Sequence, residues 1–244
     1  MTPTVTEVAA GVHFVQGGAV SWTILTEGDA FTLVDAGYPG DHDAVLSSIE
    51  QVGRTPDQLG AVLVTHAHVD HIGSLPRLLD GRDVPVLTSA TEARHARREF
   101  LEQATPLQVA AAAWRPRVLR WSLHVVAAGG TTKAGVPQAT AYGAAPLDVP
   151  GRPVPLVTPG HTSGHTCYHL PDAGVLITGD ALVTGHPTVA RTGPQLLDGM
   201  FHHDAGENRR SLDALRSLPG DVLLPGHGDA WRGRYADAVD QALA

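Results

Sequence analysis

The sequence predicts an α/β protein in which helices cover a sheet core. Three observations carry this. Strand-like runs interleave with helical patterns in both halves of the chain, the signature of layered packing. Several strand runs are wholly apolar, as strands buried on both faces are. The chain has 244 residues, 43% hydrophobic and 17% charged, enough for a substantial core in one domain and too apolar for disorder.

In chain order, residues 12–15, 21–26 and 31–34 are rich in β-formers, and Gly17-Gly18 and Glu27-Gly28-Asp29 punctuate them as turns. Asp41 is placed to cap a helix over 44–52, with Val45, Ile49 and Val52 on one face. Residues 61–64 read as a buried strand, followed by a helix near 74–79 and a strand at 84–87. An alanine-rich stretch, 90–121, reads as helical. Residues 128–155 are dense in Gly, Pro, Ala and Thr, as a loop or hairpin tip is. Strands resume at 155–158, and a hairpin over 168–178 turns at Pro171 to Gly174. A helix over 208–218, a buried strand at 222–224 and a helix over 231–243 complete the chain.

The formal charge is −8 with histidine neutral. An acidic surface repels a phosphate backbone, so no nucleic-acid partner is expected. Arg94, Arg97 and Arg98 form the main local basic run and read as a solvated helix face. Cys167 is the single cysteine, in a strand-like run where a small buried residue is the usual role. The first seven residues lack a basic start and an apolar segment, and no stretch reaches the ~20 apolar residues of a membrane span. A cytoplasmic protein with a small-molecule substrate is expected, with a homodimer as a further possibility.

Four segments share one pattern: an apolar strand, then small residues, then metal-type ligands. They are His66-Ala67-His68-Val69-Asp70-His71, Thr158-Pro159-Gly160-His161, Thr178-Gly179-Asp180 and Pro225-Gly226-His227. Ligands at strand ends sit on a rigid frame yet face the sheet rim. Neutral imidazoles suit zinc and similar metals, and carboxylates add charge neutralisation. Five histidines and two aspartates suit a two-metal site, which one local cluster cannot supply alone, so several strand ends must converge.

On these motifs the sequence resembles the metallo-β-lactamase superfamily, from Leu33-Val34-Asp35-Ala36-Gly37 to His227. The resemblance implies a four-layer αββα sandwich. It implies that His66, His68 and His161 hold one metal, that Asp70, His71 and His227 hold a second, and that Asp180 bridges them. Asp35 is expected to orient the metal-binding loop without binding metal. Two divalent ions are implied, zinc foremost, with iron or manganese as other occupants. The implied reaction is hydrolysis of a lactone, thioester or related acyl compound by a hydroxide shared between the ions, with Asp70 orienting it and passing a proton to the leaving group.

The bridging aspartate resembles the glyoxalase II and lactonase side of the superfamily. Only seventeen residues follow His227, which argues against a glutathione-binding helical region. Position 183 is valine where lactonases commonly carry tyrosine. A mononuclear-iron sulfur dioxygenase, or a β-lactam- or phosphodiester-cleaving member, are the alternatives. His165 is expected to support its loop. His186, His202 and His203 lie in a Gly- and Pro-rich stretch bordering the site, with His186 the candidate substrate contact.

His71 and His161 are ninety residues apart, more than one strand and one helix need. A helical insertion at about 90–145 is therefore expected, folding over the metal rim as a lid or serving as a dimer interface. Phe100, Trp114 and Trp121 are its candidate substrate contacts, with both tryptophans on one face of a continuous helix.

Overall fold

The computed structural model describes residues 2–244; Met1, where the N-terminal segment begins, lies outside them. Seven strands form one sheet in chain order: β1 (Thr4–Ala9), β2 (Val12–Gln16), β3 (Ser21–Glu27), β4 (Ala30–Val34), β5 (Leu59–Leu63), β6 (Val86–Thr88) and β7 (Ala139–Ala141). β1 to β4 pair antiparallel across short turns, and β4 to β7 pair parallel. Parallel neighbours need crossovers. These carry α1 (His42–Gln51), α2 (Val69–Ile72), α3 (Leu75–Leu78), α4 (Ala90–Ala96), α5 (Pro106–Ala112) and α6 (Pro116–Ala127).

The second sheet has β8 (Val154–Val157), β9 (Thr166–Leu170), β10 (Val175–Gly179), β11 (Val222–Pro225) and β12 (Trp231–Arg232), in spatial order β12-β11-β10-β9-β8. Only β10 and β11 run parallel. Their crossover holds α7 (Ala205–Ser211), and α8 (Tyr235–Leu243) follows β12.

Strand alternation sorts the apolar residues into layers. Val12, Phe14, Leu25, Val34 and Leu63 from the first sheet meet Tyr168, Val175, Ile177, Val222 and Leu224 from the second. Residues of opposite phase face outward. Ile24, Leu33 and Val62 pack with Val45 and Ile49 of α1, and Leu176 and Leu223 pack with Tyr235 and Val239 of α8. The result is an αββα sandwich, as the resemblance implies.

The differences from the sequence reading are local. β1 lies ahead of the strand runs expected from sequence, because Thr4-Val5-Thr6-Glu7 is mostly polar and none of the strand's residues is fully buried. β7 is a three-residue strand inside the expected loop 128–155. The helical stretch is three helices. Pro106 and Pro116 each open a new one, where a missing N–H is tolerated. Trp114 falls in the joint between α5 and α6, and Trp231 starts β12 rather than a helix. The two tryptophans of the insertion therefore do not share a continuous helix. Asp41 precedes α1 but makes no side-chain cap; it accepts the Tyr38 N–H at 2.9 Å instead. No helix among the described residues is long and apolar enough to cross a membrane.

Candidate metal centre

The ends of β4, β5, β10 and β11 and the loop after β8 converge on one rim of the sandwich. The β5 exit delivers His66, His68, Asp70 and His71, the last two within α2. The loop after β8 brings His161, β10 ends at Asp180, and β11 runs into His227. All but His68 and Asp70 are buried.

Nε2 of His66, Nδ1 of His68 and Nε2 of His161 form a triangle with sides of 3.1, 3.1 and 3.2 Å. Asp180 Oδ2 lies 3.6 Å from His161 Nε2 and 3.2 Å from His227 Nε2, and Oδ1 lies 3.5 Å from His71 Nε2. Asp70 Oδ2 lies 3.4 Å from His227 Nε2 and 3.9 Å from His71 Nε2. Donor atoms about 2.0–2.1 Å from a tetrahedral ion sit roughly 3.3 Å apart, so these spacings fit metal coordination. Three groups of three have donor atoms within 4.8 Å of one another: His66, His68 and His161; His66, His71 and Asp180; and Asp70, His71 and His227. Asp180 stands between the outer two. His71 Nε2 and Asp180 Oδ1 are buried with no hydrogen-bond partner, an arrangement a cation would satisfy.

Glycine is required beside this carboxylate. A Cβ at Gly226 would collide with Asp180 Oδ1 and approach His71 Cε1 to 2.8 Å. At Gly179 the backbone is left-handed, φ +48°, and a Cβ would meet Thr65 Oγ1 at 2.7 Å.

The partners of each ring fix which nitrogen is free. His68 Nε2 lies 2.6 Å from the Glu102 carbonyl, to which it donates, leaving Nδ1 for the cluster. His227 Nδ1 donates to the Ala19 carbonyl at 2.7 Å, leaving Nε2. His71 Nδ1 donates to Asp35 Oδ2 at 2.8 Å. Asp35, itself at φ +62°, also accepts the Thr65 N–H and hydroxyl at 2.9 and 2.6 Å. It therefore ties the end of β4 to the start of the ligand loop and points His71 inward. His165 contacts Thr158 Oγ1 at 2.9 Å and accepts the Asp180 N–H at 3.2 Å, so it steadies two ligand loops.

Burial, reinforced by the neighbouring imidazoles, holds His66 and His161 well below the usual histidine value; burial brings His68 to about 4. These three are neutral donors. Burial also opposes charge on Asp70 and Asp180, but His71 and His227 outweigh it and hold both carboxyls below their ordinary range. In return, against burial, Asp180 and its fellow carboxylates raise His71 well above its usual value and His227 to about 10. Metal entering this half must displace those protons.

Three residues here were not found from sequence. Glu92, on α4 and fully buried, accepts the Ala67 N–H at 2.6 Å, the Thr162 hydroxyl at 2.7 Å and His95 Nδ1 at 2.7 Å. It thus joins the loop carrying His66 and His68 to the loop carrying His161. Ser89-x-x-Glu92 is the visible signal, but it reads as a capping box. Ser89 does cap, accepting the Glu92 N–H at 3.1 Å, while the carboxylate goes to Ala67. Glu102 has no such signal; its carboxylate accepts the Ser163 N–H at 2.7 Å. Tyr38, buried three residues after Asp35, sets its phenol beside Asp70, and burial together with Asp70 and Asp180 raises its pKa well above 10.

The basic run is corrected. Arg94 and Arg97 pair with Glu99 on the surface, but Arg98 turns inward at φ +62° and donates to the Ala67 carbonyl at 2.8 Å. Cys167 is buried beneath Thr158, and burial pushes its thiol up to about 12.

A cavity of about 500 Å³ opens above the cluster, with Tyr38, Asp70, Trp121, His186 and His227 among its lining residues. Two candidate contacts do not reach it. Phe100 stacks on His95 at 5.2 Å, inside the α4 region. Trp114 is 81% exposed, because the break at Pro116 turns it away from the line of Trp121. His186 lies against His227 with ring centroids 4.8 Å apart and is held neutral by burial, at about 3. His202 faces His161 at 5.3 Å, and His203 pairs with Glu102 at 3.5 Å.

A layered αββα frame with a histidine- and aspartate-lined rim defines a class, and sequence and structure comparisons agree on it. The profile of the metallo-beta-lactamase superfamily matches residues 15–227. The chain belongs to that superfamily. It is 30% identical over 241 residues to the probable metallo-hydrolase YflN of Bacillus subtilis (strain 168), covering 93% of this chain and 88% of that protein. It is 28% identical over 202 residues to a hydroxyacylglutathione hydrolase of Dechloromonas aromatica (strain RCB), 82% of this chain but only 54% of the relative's length. A metallo-beta-lactamase with a HARLDQ motif from Cronobacter sakazakii superposes with TM-score 0.68 at 19% identity, over 98% of this chain and 92% of the other. At that identity the likeness concerns the fold. The chain is thus a member of a metallo-hydrolase superfamily with a histidine and aspartate cluster suited to metal ions.

Proposed function

We propose that the protein is a dinuclear metal-dependent hydrolase of a small ester-like substrate: a lactone, thioester or related acyl compound. The observation that supports this reading is the pair of donor sets with Asp180 between them, and with buried, unpartnered His71 Nε2 and Asp180 Oδ1 at the centre. His66, His68 and His161 would hold one ion, Asp70, His71 and His227 the other, and Asp180 would contact both. Divalent ions there, zinc foremost for this nitrogen and oxygen set, supply a nucleophilic water near neutral pH and electrophilic pull on the scissile carbonyl.

The chain's own groups do the rest. Asp70, lying on the cavity floor and kept ionised by the cation it would help to hold, takes the proton of the attacking water. It then passes that proton to the leaving oxygen or sulfur. Tyr38, its phenol kept protonated by burial and by the nearby Asp70 and Asp180 carboxylates, sets a neutral polar group beside that carboxylate. The α5–α6 pair covers one side of the cavity and limits access of bulk water.

Metal content, with turnover on lactone, thioester, β-lactam and phosphodiester substrates, tests the reading. Two zinc ions and turnover of a lactone or thioester are expected. One iron with sulfur oxidation, or turnover confined to β-lactams or phosphodiesters, would overturn it.

A further inference from the structure

We propose that this site takes an uncharged substrate whose apolar chain lies along the α5–α6 wall, an inference that rests on the hydrolase reading and adds the substrate's chemistry. The cavity of about 500 Å³ has two unlike parts. Its floor is the donor set. Its wall is apolar: Val109 of α5 and Trp121 and Val125 of α6 face Leu197 and Phe201 of the crossover after β10. Trp121 and Phe201 meet edge to face, ring centroids 5.3 Å apart, and join the two sides.

Charge decides the class. Among the described residues, no lysine or arginine lines the cavity. Of the three arginines of α6 and its approach, Arg115 pairs with Asp198 at 3.0 Å, Arg117 donates to the Val189 carbonyl at 3.2 Å, and Arg120 is exposed and does not line the cavity. A substrate carboxylate lying on this wall would lose its water and gain no counter-charge, a large desolvation cost. Positive charge would be present only at the floor, where the reacting carbonyl must bind. A hydrocarbon chain on the same wall gains with every methylene removed from water. The volume suits a small reacting head with such a chain attached.

The zinc-loaded protein is assayed on γ-lactones bearing alkyl chains of increasing length, and on S-lactoylglutathione as an anionic thioester. We expect kcat/KM to rise severalfold per pair of methylenes until the cavity is full. The glutathione thioester should be at least a hundredfold poorer than the best lactone. Trp121→Ala should flatten the series, and Val125→Lys should raise the relative rate on the anionic thioester. Calorimetry with 1-butanol and 1-octanol gives a readout free of turnover: octanol should bind at least tenfold tighter, and Trp121→Ala should abolish the difference. A flat lactone series, or a preference for the anionic thioester, overturns the substrate class while leaving a hydrolase. If no ester, thioester or lactone is cleaved, the hydrolase reading fails, and the alcohol series alone decides whether the wall binds chains. Equal binding of butanol and octanol would overturn it.

Discussion

Removing the Glu92 carboxylate should weaken both the fold and the metal centre, although Glu92 binds no metal. Three donors converge on it: Ala67 N–H, Thr162 hydroxyl and His95 Nδ1, at 2.6 to 2.7 Å in a fully buried setting. Hydrogen bonds to a charged group contribute about 1.5–3 kcal/mol each, and they are not additive. Glu92→Ala strands the Ala67 N–H without an acceptor, so a loss of roughly 3–5 kcal/mol is expected. For a chain of this size that is a fall in Tm of roughly 10 °C. Glu92→Gln is milder. Its carbonyl oxygen can still accept from Ala67 and His95, and its amide can donate to Thr162, whose hydroxyl also accepts. Its cost should be about 1–2 kcal/mol, the charge assistance alone. The assays are thermal melts of the metal-free proteins and zinc affinity by chelator competition. Ala67 lies between His66 and His68, so Glu92→Ala should weaken zinc binding at least tenfold, and Glu92→Gln should restore most of it. A Glu92→Ala protein that melts within 2 °C of the parent and binds zinc equally would refute this reasoning.

Asp180→Ala should impair both metals, because its carboxylate reaches both the His161 side and the His71–His227 side; full metal content in the variant would exclude the bridging role. His68→Ala should abolish turnover with little change in urea midpoint, since its loop is pinned by Glu92 and Arg98 independently; wild-type activity would remove His68 from the ligand set. Glu92 also gives an acid limb: its contacts outweigh burial and hold its carboxyl below the ordinary 4.5. Its contribution is full above pH ~4.5 and is lost as the pH falls further, which acid titration of the Glu92→Gln melt against the parent would isolate. Cys167 acts at the other end. Burial raises its thiol from 9.0 to about 12, so the folded state retains a proton that the unfolded state releases. Stability should fall by roughly 1.4 kcal/mol per pH unit between those values, and Cys167→Ser should remove that slope. Leu119→Asp and Leu123→Asp, exposed and off the cavity, test by sedimentation whether α6 forms the homodimer surface considered from sequence.

The sandwich was legible because strand alternation and apolar runs carry it directly: Val62-Leu63-Val64 and Val222-Leu223-Leu224 are buried strands in sequence and in space. The seven clustered side chains were legible because each follows such a run within a few residues. What escaped depends on contacts between distant segments. Glu92 lies 25 residues from Ala67 and 70 from Thr162, and nothing local marks a carboxylate that will serve both. In the insertion an alanine-rich composition masks the breaks at Pro106 and Pro116, which set Trp121 on the cavity and Trp114 outside it. Phe100 was a fair apolar candidate, but it stacks on His95, whose own partner is Glu92.

The most direct test of the central claim is the metal stoichiometry of the folded chain by plasma mass spectrometry, measured for the parent and for His71→Ala. Two divalent ions are expected in the parent. In His71→Ala one ion should be retained, held by His66, His68 and His161, because that triangle does not use His71. A parent that binds a single ion under saturating zinc, or a variant that keeps both, would contradict the two-ion centre.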